Sequence, residues 1–253
     1  MGIPLVLVPG IQGRWEYMRP AVDALSREFR VLTFSLGAAR TLDDYAAQVA
    51  RTLDDNHVDR AVVCGVSFGG WIAVRFAAVR PERTSALVLV STPAPRLRLR
   101  RRHQVYARFP WIFGPLFLAE APWRLREEIV SAMPSWRARW ALGFQMLRTL
   151  PGAPVSFTQM AARARLISTT DVTTDCLRVT APTLVVTGER ELDHVVPVDG
   201  ASEYVRLIPN ARGAVIDRTG HIGSITRPEA FASLVGEFAA GRTRGSASTD
   251  RVA

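Results

Sequence analysis

The stretch that decides the fold reads Ala61-Val62-Val63-Cys64-Gly65-Val66-Ser67-Phe68-Gly69-Gly70. Its first residues are small or apolar and predict a buried strand, and the apolar run Trp71–Val79 has the length of a helix. The five residues from Gly65 to Gly69 match the pattern Gly-x-Ser-x-Gly. Strand, sharp turn and helix in this order are the context that holds a nucleophilic serine at the carboxyl end of a sheet. The stretch therefore predicts Ser67 as a nucleophile.

The two glycines fit this geometry because a bulky side chain two positions before or after the serine would strike the adjoining strand and helix. The helix is predicted to begin at about Phe68, so its first N–H groups are free to point toward an oxygen that becomes negative. The alternative, a glycine-rich turn with an incidental serine, stays open on the five-residue pattern alone.

Outward from this stretch, short apolar strands alternate with helical segments, and Thr41 and Asp44 stand in capping-box spacing at the start of one helix. Such alternation predicts the α/β class, with a mostly parallel sheet and helices on both faces. The predicted strands are Ile3–Val8, Arg30–Phe34, Ala61–Cys64, Ala86–Val90, Thr183–Thr187 and Ala214–Ile216. The predicted helices of this part are Trp15–Arg27, Thr41–Asn56, Phe68–Val79, Pro197–Leu207 and Pro228–Ala240.

The alternation stops between residues 93 and 175, where arginine, tryptophan and proline dominate. Two runs, Trp123–Ala132 and Trp136–Leu150, predict amphipathic helices there. We interpret residues 93–175 as an inserted helical cap, with residues 1–92 and 176–240 as the core. Residues 241–253, rich in Gly, Ser, Thr and Arg, are predicted to form a disordered tail.

The charge of the chain is concentrated in the predicted cap. The net charge is +9, no lysine occurs, and the cap carries 13 arginines against five acidic residues. A basic segment can contact a membrane, nucleic acid or an acidic substrate. No nucleic-acid-binding motif accompanies the charge, so no nucleic-acid partner is expected. A weak contact with an anionic surface and a merely solvated arginine-rich face both stay open.

The cellular compartment is predicted from three features of the sequence: its N-terminal residues, the length of its apolar runs and its cysteines. Met1–Val8 is apolar but lacks a basic segment and runs into Pro9-Gly10, unlike a signal peptide. No run reaches the ~18 apolar residues of a membrane span, and Trp111–Leu118 is interrupted by Gly-Pro. Two cysteines, Cys64 and Cys176, do not make a disulfide scaffold. The sequence predicts a cytoplasmic protein and leaves its oligomeric state open.

A serine nucleophile needs a base, and the base needs an orienting acid. His221 follows the last predicted strand, in a loop at the carboxyl edge of the sheet, and is the candidate base. The acid is expected after strand Thr183–Thr187, where Asp193 is preferred. Glu191 and Glu189 compete with it in the same loop.

The order Ser…Asp…His, with one residue in each strand-end loop, resembles that of the α/β-hydrolase superfamily. The resemblance covers roughly Ile3 to Ala240 and rests on the Ser67 pattern, the Asp193 loop ending Val195-Val196-Pro197, and Gly220-His221. It implies a serine hydrolase of the esterase type that acts on a carboxylic-ester-like substrate through an acyl-enzyme. It also implies an oxyanion hole formed by the backbone N–H groups of Phe68 and of Ile11, with Gln12 as the alternative to Ile11.

Two departures from the family pattern carry expectations. The loop after the first strand usually begins His-Gly in the family, and here it begins Pro9-Gly10, so the hydrogen bonds that anchor it must differ. The family's first two strands have no counterpart, so we expect a parallel sheet of about six strands. No metal-binding cluster and no Gly-x-Gly-x-x-Gly loop occurs, so neither metal nor cofactor is predicted.

Several functions remain open at this stage: lactonase, thioesterase, perhydrolase or carbon–carbon bond hydrolase activity, or ligand binding without catalysis. A small-molecule substrate with an apolar group is expected if apolar residues of the cap face the pocket. The competing account is that these residues only seal the cap onto the core. They are Trp111, Phe113, Leu116, Phe117, Trp136, Trp140 and Phe144.

Overall fold

A computed structural model describes residues 2–98 and 101–241. In it six strands form one sheet in the order β2-β1-β3-β4-β5-β6, and every neighbouring pair is parallel. The predicted fold class and strand number are therefore confirmed. The strands are β1 Ile3–Val8, β2 Phe29–Thr33, β3 Ala61–Val66, β4 Thr84–Val90, β5 Thr183–Thr187 and β6 Ala211–Val215.

Helices cover both faces of this sheet, as the alternation predicts. On one face α1 packs against α13, while α2, α3, α10 and α11 bury the other face. The helices are α1 Arg19–Leu25, α2 Leu42–Asp55, α3 Phe68–Val79, α4 Arg101–Arg108, α5 Pro110–Ala119, α6 Ala121–Arg124, α7 Arg126–Ala132, α8 Trp136–Thr149, α9 Phe157–Thr169, α10 Thr173–Arg178, α11 Asp199–Leu207, α12 Gly223–Thr226 and α13 Pro228–Ala239.

Strand β3 lies inside the sheet, between β1 and β4, and all its residues are buried. A strand buried on both faces must be apolar throughout, which is why Ala61–Val66 shows no alternation. Because all strands are parallel, the loops that follow β1, β3, β5 and β6 begin at the same edge of the sheet, where the carboxyl ends of the strands lie. That edge is where the candidate residues meet.

Local signals placed several elements well. Thr41 Oγ1 accepts a hydrogen bond from the Asp44 N–H at 3.1 Å, and Asp44 accepts one from the Thr41 N–H at 2.9 Å, so the capping box is confirmed. The predicted strand Ala214–Ile216 was wrong, because pairing with β5 moves β6 to Ala211–Val215 despite the poor strand propensity of Gly213. The predicted helix Trp123–Ala132 divides into α6 and α7 around Leu125, which has ψ of 1°.

Helices α4–α9 all lie between β4 and β5 in the chain, and we call residues 101–169 the helical insertion. The predicted boundary between residues 175 and 176 falls inside α10, which packs against α3 and α11 of the core. Among the described residues, no helix is both long and apolar enough to cross a membrane. The predicted disordered tail lies outside the described residues from position 242 onward.

Candidate active site

Ser67 stands between β3 and α3 with φ of 53° and ψ of −121°, a conformation that L-residues rarely adopt. The two flanking glycines make this turn possible. A methyl group at Gly65 would overlap the Gly69 carbonyl, and one at Gly69 would overlap the carbonyl of Val8 in the neighbouring strand. The serine N–H donates to the carbonyl of Val90 at 2.8 Å, which ties the turn to β4. The turn expected from the sequence is therefore present.

His221 bridges the two other predicted site residues. Its Nε2 lies 3.2 Å from Ser67 Oγ, and its Nδ1 lies 3.3 Å from Asp193 Oδ2. The three side chains come from the loops that follow β3, β5 and β6. The structure thus brings Ser67, Asp193 and His221 together at one edge of the sheet.

Two glycines allow the β5 and β6 loops to approach each other closely. A methyl group at Gly220 would overlap the Leu192 carbonyl, and one at Gly188 would overlap the Gly220 carbonyl. The close approach places the carboxylate of Asp193 against the imidazole of His221. The sequence does not show that these two loops touch, so it could not assign this packing role to either glycine.

Asp193 is held as an acceptor. Its Oδ1 accepts hydrogen bonds from the N–H groups of Val195 and Val196, each at 2.9 Å. Burial opposes ionisation, but His221 and these two N–H groups outweigh it, so the pKa of Asp193 lies below its usual value. An ionised Asp193 can only accept a hydrogen bond, so Nδ1 of His221 must be the nitrogen that carries the proton.

The competing acids occupy other positions. Glu191 is exposed, and Glu189 accepts a hydrogen bond at 2.6 Å from the N–H of Arg218, which holds the start of the His221 loop. His194 lies at the cavity and pairs with Glu127 at 3.0 Å. Within the described residues, only Asp193 forms a hydrogen bond to His221 through a carboxylate.

The residues predicted to form the oxyanion hole lie near Ser67. Ile11 lines the same cavity as Ser67, whereas Gln12 is exposed. Phe68 begins α3 directly after Ser67, so its N–H has no partner within that helix. A methyl group added at Gly10 would lie 3.4 Å from Ser67 Cβ, an ordinary van der Waals contact.

Arg163 supplies the anchor for the loop that begins Pro9-Gly10. This side chain of α9 is 2% exposed, and its Nη1 donates to the Ile11 carbonyl at 2.9 Å. Its Nη2 donates to the Leu36 carbonyl at 2.9 Å and its Nε to the Tyr45 hydroxyl at 3.2 Å. The expected change in anchoring is therefore present.

Arg163 is also an exception to a solvated arginine-rich face, one of the two interpretations that the sequence left open. It is buried because three oxygens of the core accept its N–H groups, and within residues 2–98 and 101–241 no carboxylate pairs with it. Tyr45, one of its partners, packs edge-on against Phe68 with ring centroids 5.4 Å apart. The guanidinium therefore bonds Ile11 directly and is linked to Phe68 through Tyr45. No local pattern distinguishes it from the other arginines.

Glu128 is a second residue that sequence reasoning missed. It lies on α7, is completely buried, and its Oε1 accepts a hydrogen bond from the Ile222 N–H at 2.9 Å. Its Oε2 has no hydrogen-bond partner among the described residues. Burial raises the pKa of Glu128 to about 7, against the opposing effects of the Gly220 and Ile222 N–H groups and of His221.

A cavity of about 310 Å³ lies over Ser67, between the core and the helical insertion. Its wall on the insertion side is mainly aromatic and aliphatic, with Tyr106 and Phe113 stacked at 5.0 Å between ring centroids. Of the apolar cap residues expected at a pocket, Phe113 and Phe117 line it. Within the described residues, no three His, Cys, Asp or Glu side chains cluster as a metal site would require.

The tryptophans behave differently from the expectation. Trp136 and Trp140 neither line the cavity nor seal the insertion onto the core, because both side chains are exposed. Trp111 and Phe144 are exposed as well. Trp136, Trp140 and Phe144 all belong to α8, and no residue of this helix is buried.

Comparison with known proteins gives consistent matches. A model described as the alpha/beta hydrolase family matches residues 5–234. The chain is 28% identical over 227 residues to the pimeloyl-(acyl-carrier protein) methyl ester esterase of Nitrosomonas europaea, covering 84% of this chain and 86% of the esterase. It is 24% identical over 251 residues to a relative named as a carbamate hydrolase, RutD, of Yersinia enterocolitica, covering 91% of this chain and 85% of the relative.

The solved structure of the enol-lactonase from Burkholderia xenovorans LB400 has the same fold, with a TM-score of 0.78 at 24% identity, covering 94% of this chain and 91% of that one. The matches confirm the predicted superfamily and the predicted enzyme class, a hydrolase. With its six parallel strands and a family match from residue 5 to residue 234, the chain belongs to the alpha/beta hydrolase family.

Proposed function

We propose that this protein hydrolyses a carboxylic-ester-like bond through Ser67 as nucleophile, His221 as base and Asp193 as orienting acid. The observation that carries the proposal is the position of His221. Its two nitrogens lie 3.2 Å from Ser67 Oγ and 3.3 Å from Asp193 Oδ2, beneath a cavity that a substrate can enter. A serine alcohol is a weak nucleophile, and a base at this distance is what activates it.

In the first half of the proposed reaction, Nε2 of His221 takes the proton of Ser67 while Oγ forms a bond to the substrate carbonyl carbon. The carbonyl oxygen becomes negative, and the N–H groups of Phe68 and Ile11 stabilise it. Loss of one such donor typically lowers the rate by about 10²- to 10³-fold. The C–O bond to the leaving alcohol then breaks, and the alcohol takes the proton from Nε2, which leaves an acyl-enzyme on Ser67.

Water completes the reaction by the reverse route. Nε2 of His221 takes a proton from the water as its oxygen attacks the acyl carbon. The bond to Oγ then breaks, and Ser67 recovers its proton from His221. Throughout both halves Asp193 accepts the Nδ1–H bond, which keeps the imidazole in the required tautomer. The products are a carboxylic acid and an alcohol.

The cavity supports a small substrate with an apolar group. Its volume of about 310 Å³ is at the lower end of ligand pockets, and Phe113, Phe117 and Met160 contribute to its lining. The esterase of Nitrosomonas europaea acts on a methyl ester by its name, which favours ester cleavage here. In this proposal the helical insertion acts as a cap over the core, and the protein works in the cytoplasm.

Labelling with a fluorophosphonate tests the proposal directly. The folded protein is expected to gain the mass of one adduct, on Ser67, because Ser67 alone among the described serines has a base within hydrogen-bond distance beside the proposed oxyanion hole. Ser67→Ala should abolish the adduct, while Ser168→Ala, which removes a half-buried hydroxyl from α9, should retain it. Folded wild-type protein that forms no adduct would refute the hydrolase proposal.

A substrate panel then separates the chemistries that share this site. Esters, thioesters, lactones, carbamates and carbon–carbon cleavage substrates are compared by kcat/KM. Esters are expected to be the best class. Faster turnover of carbamates would point to the activity for which the Yersinia enterocolitica relative is named. An adduct without turnover of any class would favour the ligand-binding alternative.

A further inference from the structure

Helix α8 is apolar on two sides, and only one of them faces the protein. Leu142 and Met146 are half-buried, whereas Trp136, Trp140, Phe144 and Leu147 on the other side are exposed. Trp140 is 73% exposed and Leu147 is 65% exposed. An apolar face of a helix is normally covered by another part of the protein or by a partner. The outer face of α8, defined by these four residues with Arg137 and Arg148, is therefore uncovered.

Arginines flank this apolar stripe. At about 100° per residue, Arg137 and Arg148 lie along one side of it and Arg139 along the other. The guanidinium of Arg137 lies 5.7 Å from the Trp136 ring centroid, and that of Arg148 lies 5.5 Å from the Phe144 ring. Helix α8 contains no acidic residue, and among the described residues none of these three arginines has an ion-pair partner. What covers the stripe must therefore tolerate positive charge on both flanks.

The positive charge of α8 argues against a second copy of the chain as the partner that covers its outer face. In a two-fold dimer each α8 would meet another α8, because the same surface faces itself across the axis. Arginines would then face arginines with no acid on either helix to compensate. The cover is better matched by a surface that is negative at its rim and apolar beneath.

The composition of the outer face distinguishes a lipid surface from a protein. The exposed positions of α8 as a whole carry aromatic, aliphatic, glycine, alanine and arginine residues. None of them carries an uncharged polar side chain that could make specific hydrogen bonds. A shallow groove of about 270 Å³ runs along it, lined by Trp140, Phe144 and Leu147 with Arg139. A helix with an apolar stripe between cationic flanks lies flat in a bilayer interface, with its arginines reaching the headgroups.

We propose that the outer face of α8 docks this protein on a bilayer surface that contains anionic lipid. The stripe enters the boundary between headgroups and acyl chains, and Arg137, Arg139 and Arg148 bind the anionic headgroups. Docking is a property of the insertion alone and does not depend on Ser67. It can therefore be tested whether or not the proposed ester hydrolysis is correct.

Cosedimentation of the full chain with vesicles tests the proposal. Strong binding is expected to vesicles of phosphatidylcholine with phosphatidylglycerol, weak binding to phosphatidylcholine alone, and weaker binding in high salt. Trp140→Ala should weaken binding to the anionic vesicles by about tenfold or more, because it removes an apolar ring that is exposed to water in the free protein and would leave water on docking. Arg148→Gln should weaken it by about fivefold.

Matched variants identify the surface. Leu147→Ala should weaken binding, whereas Leu177→Ala, at a residue of α10 that is 61% exposed, should not. Arg206→Gln on α11 should have less effect than Arg148→Gln. Each changed residue is exposed, so thermal unfolding should be unchanged in all of them.

Several results would overturn the proposal. One is the absence of binding to anionic vesicles; another is binding that Trp140→Ala and Leu147→Ala leave unchanged. Binding to immobilised poly-glutamate without binding to vesicles would indicate an acidic protein partner instead. Reversible dimerisation that Trp140→Ala abolishes, again without vesicle binding, would assign the stripe to a second copy of the chain.

Discussion

The carboxylate of Glu128 accepts a hydrogen bond at 2.9 Å from the backbone N–H of Ile222, the residue directly after His221. Glu128 belongs to α7 of the helical insertion and Ile222 to the loop after β6, so the insertion holds the loop of the proposed catalytic base. The second carboxylate oxygen is buried and has no hydrogen-bond partner within residues 2–98 and 101–241. This relationship makes the contact sensitive to the protonation of Glu128.

Stability is predicted to depend on pH through Glu128. Burial raises its pKa from 4.5 to about 7, so between these values the folded state holds the proton more tightly than the unfolded state. The protonated Glu128 side chain therefore contributes fully to the free energy of unfolding below about pH 4.5. This contribution, at most ~3 kcal/mol, is lost as the pH rises through about 7. His221 and Asp193 are the titratable groups nearby.

Denaturant unfolding at several pH values measures this effect. The free energy of unfolding of wild type, relative to Glu128→Gln, should fall as the pH rises between these limits. Glu82→Gln, a change at an exposed glutamate, should run parallel to wild type. A constant difference between wild type and Glu128→Gln would contradict the prediction.

Asp193→Asn is predicted to lower kcat by about 10³- to 10⁴-fold with the fold intact, because the amide cannot hold His221 in the required tautomer. Glu191→Gln, at the exposed competitor in the same loop, should have little effect. Steady-state kinetics on the best ester decides between them. The assignment is wrong if Glu191→Gln causes the loss and Asp193→Asn does not.

Ser67→Ala and His221→Ala are each predicted to lower turnover by several orders of magnitude. The double variant should lose little more than either single one, because the members of a triad act as a unit. Losses that multiply in the double variant would show that the two residues act independently. The 3.2 Å separation of Oγ and Nε2 would then have no catalytic meaning.

Arg163→Lys is predicted to lower kcat by roughly 10- to 10²-fold with little change in KM. An ammonium cannot reach the Ile11 carbonyl, the Leu36 carbonyl and the Tyr45 hydroxyl together, so the donor at Ile11 would be displaced in the transition state. Arg165→Lys on the same helix is the control, because this exposed side chain bonds the Ala107 carbonyl and, in the described part of the chain, no other group. Equal effects of both variants, or a change confined to stability, would make Arg163 a structural residue only.

Phe117→Ala is predicted to shift the preferred chain length in a series of p-nitrophenyl esters toward longer chains, because it enlarges the cavity wall. The change in relative kcat/KM should reach about tenfold per favoured methylene. Trp140→Ala should leave the preference unchanged, since its side chain lies outside the cavity. A shift in the preferred chain length that Trp140→Ala causes and Phe117→Ala does not would place the substrate against α8.

Prediction from sequence succeeded where the required residue types stand close together in the chain. The two glycines that the turn at Ser67 requires lie two positions from it, and the helix that follows begins and ends at Phe68 and Val79 as predicted. Strand β5 was also placed correctly at Thr183–Thr187. Where pairing across the sheet decides the bounds, as in β6, the prediction was displaced.

Sequence by itself determined the strand–turn–helix at Ser67, the alternation that makes a parallel sheet, and the chain order of Ser67, Asp193 and His221. Only the tertiary structure decided which charged and aromatic residues of the insertion are buried. Arg163 reaches Ile11 across 152 positions of the chain and Glu128 reaches Ile222 across 94, while Trp140 remains exposed. The physical reason is that the residue types which a turn requires are visible in its own short stretch of sequence, even where the close neighbour belongs to another strand, as at Gly69. Burial of a guanidinium or a carboxylate instead requires acceptors or donors that only distant segments supply.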